Sequence, residues 1–120
     1  MSKVLIVDDE DFIRDMIGDV LELSGYTYIK AANGGEGIAL LKSDREISLV
    51  LLDFTLPDIS GELFVKRMNQ EGIAVPVAVL SGLSDNFSLF EKEPIVKGTL
   101  AKPFCIDELI TLVKELLPVP

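Results

Sequence analysis

The chain has 120 residues, with 11 Lys+Arg against 20 Asp+Glu and no His, which gives a formal net charge of −9. This length suits one folded domain, and the hydrophobic content of 48% excludes a disordered tail. The negative charge argues against direct binding to nucleic acid or to an anionic membrane, and no apolar run is long enough for a membrane span. No signal peptide is expected, and a single Cys favours the reducing cytoplasm.

Apolar and amphipathic segments alternate along the chain and predict strands and helices in turn. The first half predicts a strand at 4–7, a helix over 12–21 that ends before Gly25, a strand at 26–31, a helix at 36–42 and a strand at 49–52. The second half predicts a helix at 62–70, a strand at 75–80, a short or frayed helix at 83–93, a strand at 96–101 and a helix at 106–117.

This alternation predicts an α/β fold with one doubly wound parallel sheet and helices on both faces. Five strands in this arrangement suit the flavodoxin-like order 2-1-3-4-5. In that order the ligand crevice lies at the carboxyl ends of strands 1 and 3. The residues that directly follow the strands are therefore the candidates for a functional site.

Polar residues follow four of the five predicted strands. Asp8 and Asp9 follow the first strand, Asp53 the third, Ser81 the fourth and Lys102 the fifth. Three carboxylates at one edge repel each other unless a cation lies among them, and oxygen ligands without His or Cys favour Mg²⁺. A metal site, a lysine and a hydroxyl are together suited to phosphoryl transfer, and without His the natural nucleophile is Asp53.

Each of these groups also has a simpler interpretation when it is considered alone. The acids at 8–11 can be solvated residues in the first turn of a helix, where the helix dipole favours them. Asp53 can be a turn residue, and Ser81 can belong to an ordinary loop. The joint placement at separate strand ends is what favours a shared site.

The sequence resembles the receiver domains of two-component response regulators over essentially its whole length. The segments that carry the resemblance are VLIVDDE at 4–10, LLD at 51–53 with LP at 56–57 and Gly61, LSG at 80–82, and LAKPF at 100–104. The resemblance implies that Asp53 accepts a phosphoryl group from a phosphohistidine on a sensor histidine kinase or a histidine phosphotransfer protein. The expected output is a protein–protein interaction with an unknown partner.

The resemblance also implies roles for the other residues of the site. Asp9 and Asp53 would bind Mg²⁺ directly, together with the backbone carbonyl of Thr55, and Asp8 would act through a metal-bound water. Ser81 would hydrogen-bond a phosphoryl oxygen. Lys102 would pair with the phosphoryl group, and its bond to the following proline would be cis.

The chain differs from the usual pattern of that family at the position of Thr99 and in the segment at 83–93, which is poor in helix formers. Thr99 stands three residues before the lysine, where the family usually has Tyr or Phe, so the usual aromatic relay is not expected. The resemblance also implies that Thr55 and Leu83 flank the path of the hydrolytic water. Both organise a water poorly, which predicts slow self-dephosphorylation. The signal is then expected to pass through the loop at 81–83 and the weak helix that follows it.

Other functions and other domain contexts remain open at this point. The chain is expected to be one receiver domain over 1–120 without an effector domain, and the alternative is a receiver module cut from a hybrid histidine kinase. A flavin-binding electron carrier of the same fold would need a Ser/Thr/Gly-rich loop after the first strand, where four acids stand instead. An aspartyl-phosphate hydrolase would need a second Asp at the position of Thr55.

Overall fold

The apolar segments of the sequence form the strands of one parallel sheet in the computed structural model, which describes residues 2–82 and 93–118. Strands and helices alternate over residues 3–81 as the sequence predicts, and a strand and a helix follow over residues 96–116. In chain order the elements are β1 (Lys3–Val7), α1 (Asp11–Leu23), β2 (Thr27–Ala31), α2 (Gly34–Ser43), β3 (Ile47–Asp53), α3 (Gly61–Gln70), β4 (Val77–Ser81), β5 (Val96–Ala101) and α4 (Ile106–Leu116).

The strand order is β2-β1-β3-β4-β5, and the paired strands all run parallel. Both features confirm the prediction. The carboxyl ends of β1 and β3 are therefore neighbours at one edge of the sheet, with those of β4 and β5 beyond them. The helix predicted at 83–93 lies outside the described residues, apart from Glu93.

Side chains of the central strands alternate between two separate hydrophobic clusters, one on each face of the sheet. Val4 and Ile6 pack in the cluster that includes residues of α1 and α4, whereas Leu5 and Val7 pack in the cluster that includes residues of α2 and α3. All four side chains are fully buried, and each contributes about 2 kcal/mol through the hydrophobic effect. The predicted helices on both faces are confirmed.

β2 and β4 begin later than the sequence predicts, and each difference has a local cause. The N–H of Tyr26 donates to the carbonyl of Leu21 at 2.9 Å across Gly25, whose φ is +89°, so this residue belongs to the end of α1. Pro76 has no N–H for a ladder bond, although its carbonyl accepts from the N–H of Val50 at 2.9 Å. Pairing of β4 with β3 therefore starts at the next residue.

The helices that follow the carboxyl ends of the strands start in different ways. The side chain of Asn33 accepts from the N–H of Glu36 at the start of α2, and Ser60 caps α3 through the N–H of Leu63. The residue before α1, Glu10, makes no side-chain cap. The start of α1 must therefore be held by other contacts.

None of the helices in the described part of the chain is long and apolar enough to cross a membrane.

Candidate functional site

Three carboxylates meet at the carboxyl edge of the sheet. Asp8 and Asp9 directly follow β1, and Asp53 is the last residue of the neighbouring strand β3. Each carboxylate offers an oxygen, and these oxygens lie within 4.8 Å of one another. Asp8 is completely buried and Asp53 is 6% exposed, whereas Asp9 is exposed. The edge thus has two carboxylates inside the protein and one that is open to solvent.

Lys102 brings a positive charge to the same place from the end of β5. Its Nζ lies 3.2 Å from Oδ2 of Asp8 and 3.5 Å from Oδ1 of Asp53. Partial burial acts to lower the pKa of Lys102, but the charges of these two carboxylates outweigh burial and raise the pKa above its ordinary value. The Lys102–Pro103 bond is cis, as the resemblance implied.

Ser81 and Thr55 lie beside this cluster. Ser81 is the last residue of β4, is 1% exposed, and its carbonyl accepts from the N–H of Lys102 at 2.6 Å. The exposed Thr55 donates its N–H to Oδ1 of Asp53 at 3.2 Å and forms an isolated bridge with Ser60. The structure therefore places every predicted site residue at one edge of the sheet. Leu83 lies outside the described residues.

The pKa of Asp53 is raised from its ordinary value of 3.8 to about 6. Burial is the largest cause, because it disfavours the charged form of the carboxyl group. Lys102 and the N–H of Thr55 act in the opposite direction, and the charges of Asp8 and Asp9 raise the pKa further. The cluster is thus an unfavourable place for a third negative charge unless a cation accompanies it.

The donors of this edge fit a hard divalent cation. Three ionised carboxylates beside one ammonium group leave two negative charges uncompensated, and all the donors are oxygens. Oδ1 of Asp8 accepts from the N–H of Glu10 at 2.9 Å and its Oδ2 faces Lys102, so both of its oxygens already have partners. Asp9 and Asp53 are consequently the better placed pair to bind a metal directly.

Two residues near the edge were not singled out from the sequence. Nη1 of Arg14, in the first turns of α1, donates to the backbone carbonyl of Asp8 at 2.7 Å. Asp58, in the loop after β3, accepts from the N–H groups of Gly34 and Gly35 at 2.9 and 2.8 Å. The spacing of three residues between Asp11 and Arg14, which form an ion pair, was a usable signal for the arginine. The contacts of Asp58 join residues that are far apart in the chain and had no such signal.

Thr99 occupies the position where the resemblance would have an aromatic residue. It pairs with Val79 in the ladder between β4 and β5 and is exposed to solvent. The departure seen in the sequence is therefore located on the outer strand of the sheet.

Known proteins match both the sequence and the fold of this chain. The family model of the response regulator receiver domain matches residues 4–114. Sporulation initiation phosphotransferase F of Bacillus subtilis is 34% identical over 118 residues, which cover 98% of this chain and 94% of that protein. The phosphate regulon transcriptional regulatory protein PhoB of Pseudomonas aeruginosa is 34% identical over 120 residues, which cover 97% of this chain and 52% of that protein.

Solved structures give the same result. The chemotaxis protein CheY4 of Vibrio cholerae superposes with a TM-score of 0.84 at 30% identity, covering 98% of this chain and 99% of that one. The chain spans about half the length of several curated relatives that it matches. A family model that spans β1 to α4, and a relative that is one-third identical along nearly all of both sequences, show that this chain belongs to the response regulator receiver domain family.

Proposed function

We propose that this chain is a phosphorylation-controlled signalling switch. Asp53 accepts a phosphoryl group from a phosphohistidine on a sensor histidine kinase or a histidine phosphotransfer protein, in a reaction that requires Mg²⁺. The observation that carries the proposal is the convergence of three carboxylates and Lys102 at the carboxyl edge of the sheet. A relative named as a phosphotransferase, one-third identical over nearly its whole length, supports the same chemistry.

In the transfer step, an oxygen of the Asp53 carboxylate attacks phosphorus. A P–O bond forms to the aspartate, the P–N bond to the histidine breaks, and its electron pair goes to the imidazole nitrogen. Asp9, Asp53 and the backbone carbonyl of Thr55 would hold Mg²⁺ directly, and Asp8 would hold it through a bound water. When bound, Mg²⁺ would supply positive charge at the carboxylates and the phosphoryl oxygens. Burial keeps the Asp53 carboxylate poorly solvated, as its raised pKa of about 6 indicates.

Lys102 and Ser81 hold the product. In the unphosphorylated protein the ammonium group is shared between Asp8 and Asp53. A phosphoryl group on Asp53 brings new anionic oxygens to this place, and Lys102 pairs with them because charge-assisted hydrogen bonds are the strongest available. The backbone N–H of Lys102 donates to Ser81, so a movement of the lysine pulls on the ends of β4 and β5 together. This coupling is the proposed start of the switch.

The carboxylates also argue against a flavin-binding electron carrier. A flavin nucleotide would bring its phosphate to the end of β1, where Asp8 and Asp9 would repel it. Phosphoryl transfer brings the same kind of anion, but together with a divalent cation that the site fits. We further propose that the transferred group leaves slowly, because Thr55 is a poorer organiser of a hydrolytic water than an amide or an acid.

Treatment with acetyl phosphate and Mg²⁺, followed by mass spectrometry, tests the proposed acceptor. One added phosphoryl group is expected, mapped to the peptide that contains Asp53 and lost in Asp53→Asn. Omission of Mg²⁺ by chelation should abolish the labelling of the wild-type chain.

Asp58→Asn is the matched control for this experiment. The substitution is chemically identical and lies in the loop that directly follows Asp53, but Asp58 contacts Gly34 and Gly35 rather than the carboxylate cluster. It should be labelled like the wild type. Undiminished labelling of Asp53→Asn would contradict the assignment of the acceptor.

A further inference from the structure

The guanidinium group of Arg14 holds the connection between β1 and α1 from the helix side. Nη1 donates to the backbone carbonyl of Asp8 at 2.7 Å, and Nη2 pairs with Oδ1 of Asp11. The Arg14 side chain is 14% exposed, whereas Asp11 is 85% exposed, so the arginine lies under the connection and not on the surface. One planar side chain thus joins the first residue of the acidic turn (residues 8–10) to the first residue of the helix, Asp11.

The segment before α1 is held by contacts of its own, without a side-chain cap on the helix. Glu10 precedes α1 without a side-chain cap, and its N–H instead donates to Oδ1 of Asp8 at 2.9 Å. The N–H of Arg14 donates to the carbonyl of Glu10 at 3.0 Å, which closes the first helical turn. Asp9 lies between two residues, Asp8 and Glu10, whose backbones are both fixed in this way. The orientation of its exposed carboxylate therefore depends on the fixed turn.

We propose that Arg14 is a positioning residue for the metal site: it sets the backbone of the acidic turn so that Asp9 and Asp53 present their carboxylates to one cation. The inference rests on the proposed function, because the cation is the Mg²⁺ of the phosphoryl transfer. Arg14 touches neither carboxylate of that pair in the contacts of the described residues, so it acts through Asp8.

Charge and position give opposite expectations for the loss of this arginine. Removal of a nearby positive charge on its own strengthens the attraction of a cation to the acids, because like charges repel. Loss of the fixed turn weakens binding, because partners that orient metal ligands typically contribute about tenfold or more to affinity. Arg14→Gln should therefore bind Mg²⁺ about tenfold more weakly if position dominates, and more tightly if charge dominates.

Arg14→Lys separates the two effects in a second way. Lysine keeps the charge, but its single ammonium group lacks the planar fork that bridges the Asp8 carbonyl and Asp11. It should bind Mg²⁺ more weakly than the wild type, although its net charge is unchanged. Arg45→Gln is the control for net charge, since Arg45 is an exposed residue in the loop before β3, at the opposite edge of the sheet.

The experiment is a Mg²⁺ titration of the full chain and its three variants, followed by amide chemical shifts in NMR spectra. The spectra also report whether each variant is folded. In parallel, the rate of labelling by acetyl phosphate is measured against Mg²⁺ concentration. Both Arg14 variants should need about tenfold more Mg²⁺ for half-maximal rate and should approach the wild-type rate at saturation. Arg45→Gln should match the wild type in both measurements.

Each outcome decides one of the proposals. Wild-type affinity in Arg14→Lys, or tighter binding in Arg14→Gln, overturns the positioning role and leaves the proposed function standing. A wild-type chain that shows no saturable Mg²⁺ binding overturns the metal requirement of the proposed function and the positioning role together. Weaker binding in both Arg14 variants, with an unchanged Arg45→Gln, supports the positioning role.

Discussion

Replacement of Asp53 by asparagine is expected to make the metal-free protein more stable at neutral pH. The substitution keeps the shape of the side chain and the oxygen that accepts from the N–H of Thr55. It removes one of three clustered negative charges, and that charge lies in a place with 6% exposure. The carboxylate of Asp53 is thus expected to lower the free energy of unfolding of the metal-free protein.

The size of the effect follows from the pKa of Asp53, which rises from 3.8 to about 6 on folding. A shift of about two units corresponds to roughly 2 to 3 kcal/mol. Because the folded protein holds the proton more tightly, it binds more protons than the unfolded chain between about pH 4 and pH 6. The contribution of Asp53 to stability therefore falls as the pH rises through this window and is fully unfavourable above it.

Urea unfolding followed by circular dichroism in the presence of a chelator measures this difference. Asp53→Asn should exceed the wild type by about 2 to 3 kcal/mol at pH 7, and the difference should shrink toward zero near pH 4. Addition of Mg²⁺ should then stabilise the wild type more than the variant, because a ligand that binds only the folded state raises its stability.

Asp58→Asn provides a control of opposite sign. Slight burial acts to raise the pKa of Asp58, but hydrogen bonds from the N–H groups of Gly34 and Gly35 outweigh it and lower the pKa. The contribution of Asp58 to stability is present above its unfolded pKa and is lost as the pH falls, so Asp58→Asn should be less stable than the wild type at pH 7.

An Asp53→Asn variant that is no more stable than the wild type at pH 7 without metal would refute the electrostatic reasoning.

Two further substitutions test the electrostatics of the site and the packing around it. Lys102→Ala should still bind Mg²⁺ but should show less of the phosphorylation-induced change in amide shifts. It should also lose about 3 kcal/mol of stability, because Asp8 is left buried without its ammonium partner. A full shift response would contradict the role of Lys102 in the switch. Gly34→Ala should be less stable than the wild type by about 1 to 3 kcal/mol, since a Cβ at this position would lie 2.5 Å from Cγ1 of Ile59. Gly35→Ala should change stability less, because the atoms nearest to its Cβ would lie at 3.4 Å or more. Equal stabilities of the two variants in urea unfolding would contradict the packing argument.

Much of the fold could be predicted from the sequence because its signals are local. Continuous apolar segments and amphipathic stripes identify strands and helices, and their alternation leaves few topologies. The strand ends then collect Asp53 and Lys102 at one edge without knowledge of any contact. What shifted the predicted starts of β2 and β4 was also local, but it depended on one hydrogen bond at Tyr26 and on the N–H that Pro76 lacks.

The internal organisation of the site could not be predicted in the same way. Asp8 and Asp9 are the same residue type at adjacent positions, yet one is completely buried and the other is exposed. Which carboxylate lies inside depends on how the chain leaves β1, at the point where Arg14 donates to the Asp8 carbonyl. The bonds of Asp58 depend on the packing of the loop after β3 against the first residues of α2, which are 24 and 23 residues away in sequence.

The charges of the site connect its cost in stability with its proposed use. Lys102 offsets only one of three carboxylates, and the pKa of Asp53 is raised first by burial and further by the charges of Asp8 and Asp9. A sequence selected for stability alone would replace one of these acids. Retaining all three acids is physically reasonable when a divalent cation and a phosphoryl group bind at the site. The cation compensates the excess negative charge, and the phosphoryl group pairs with the ammonium group that the unphosphorylated protein shares between two carboxylates.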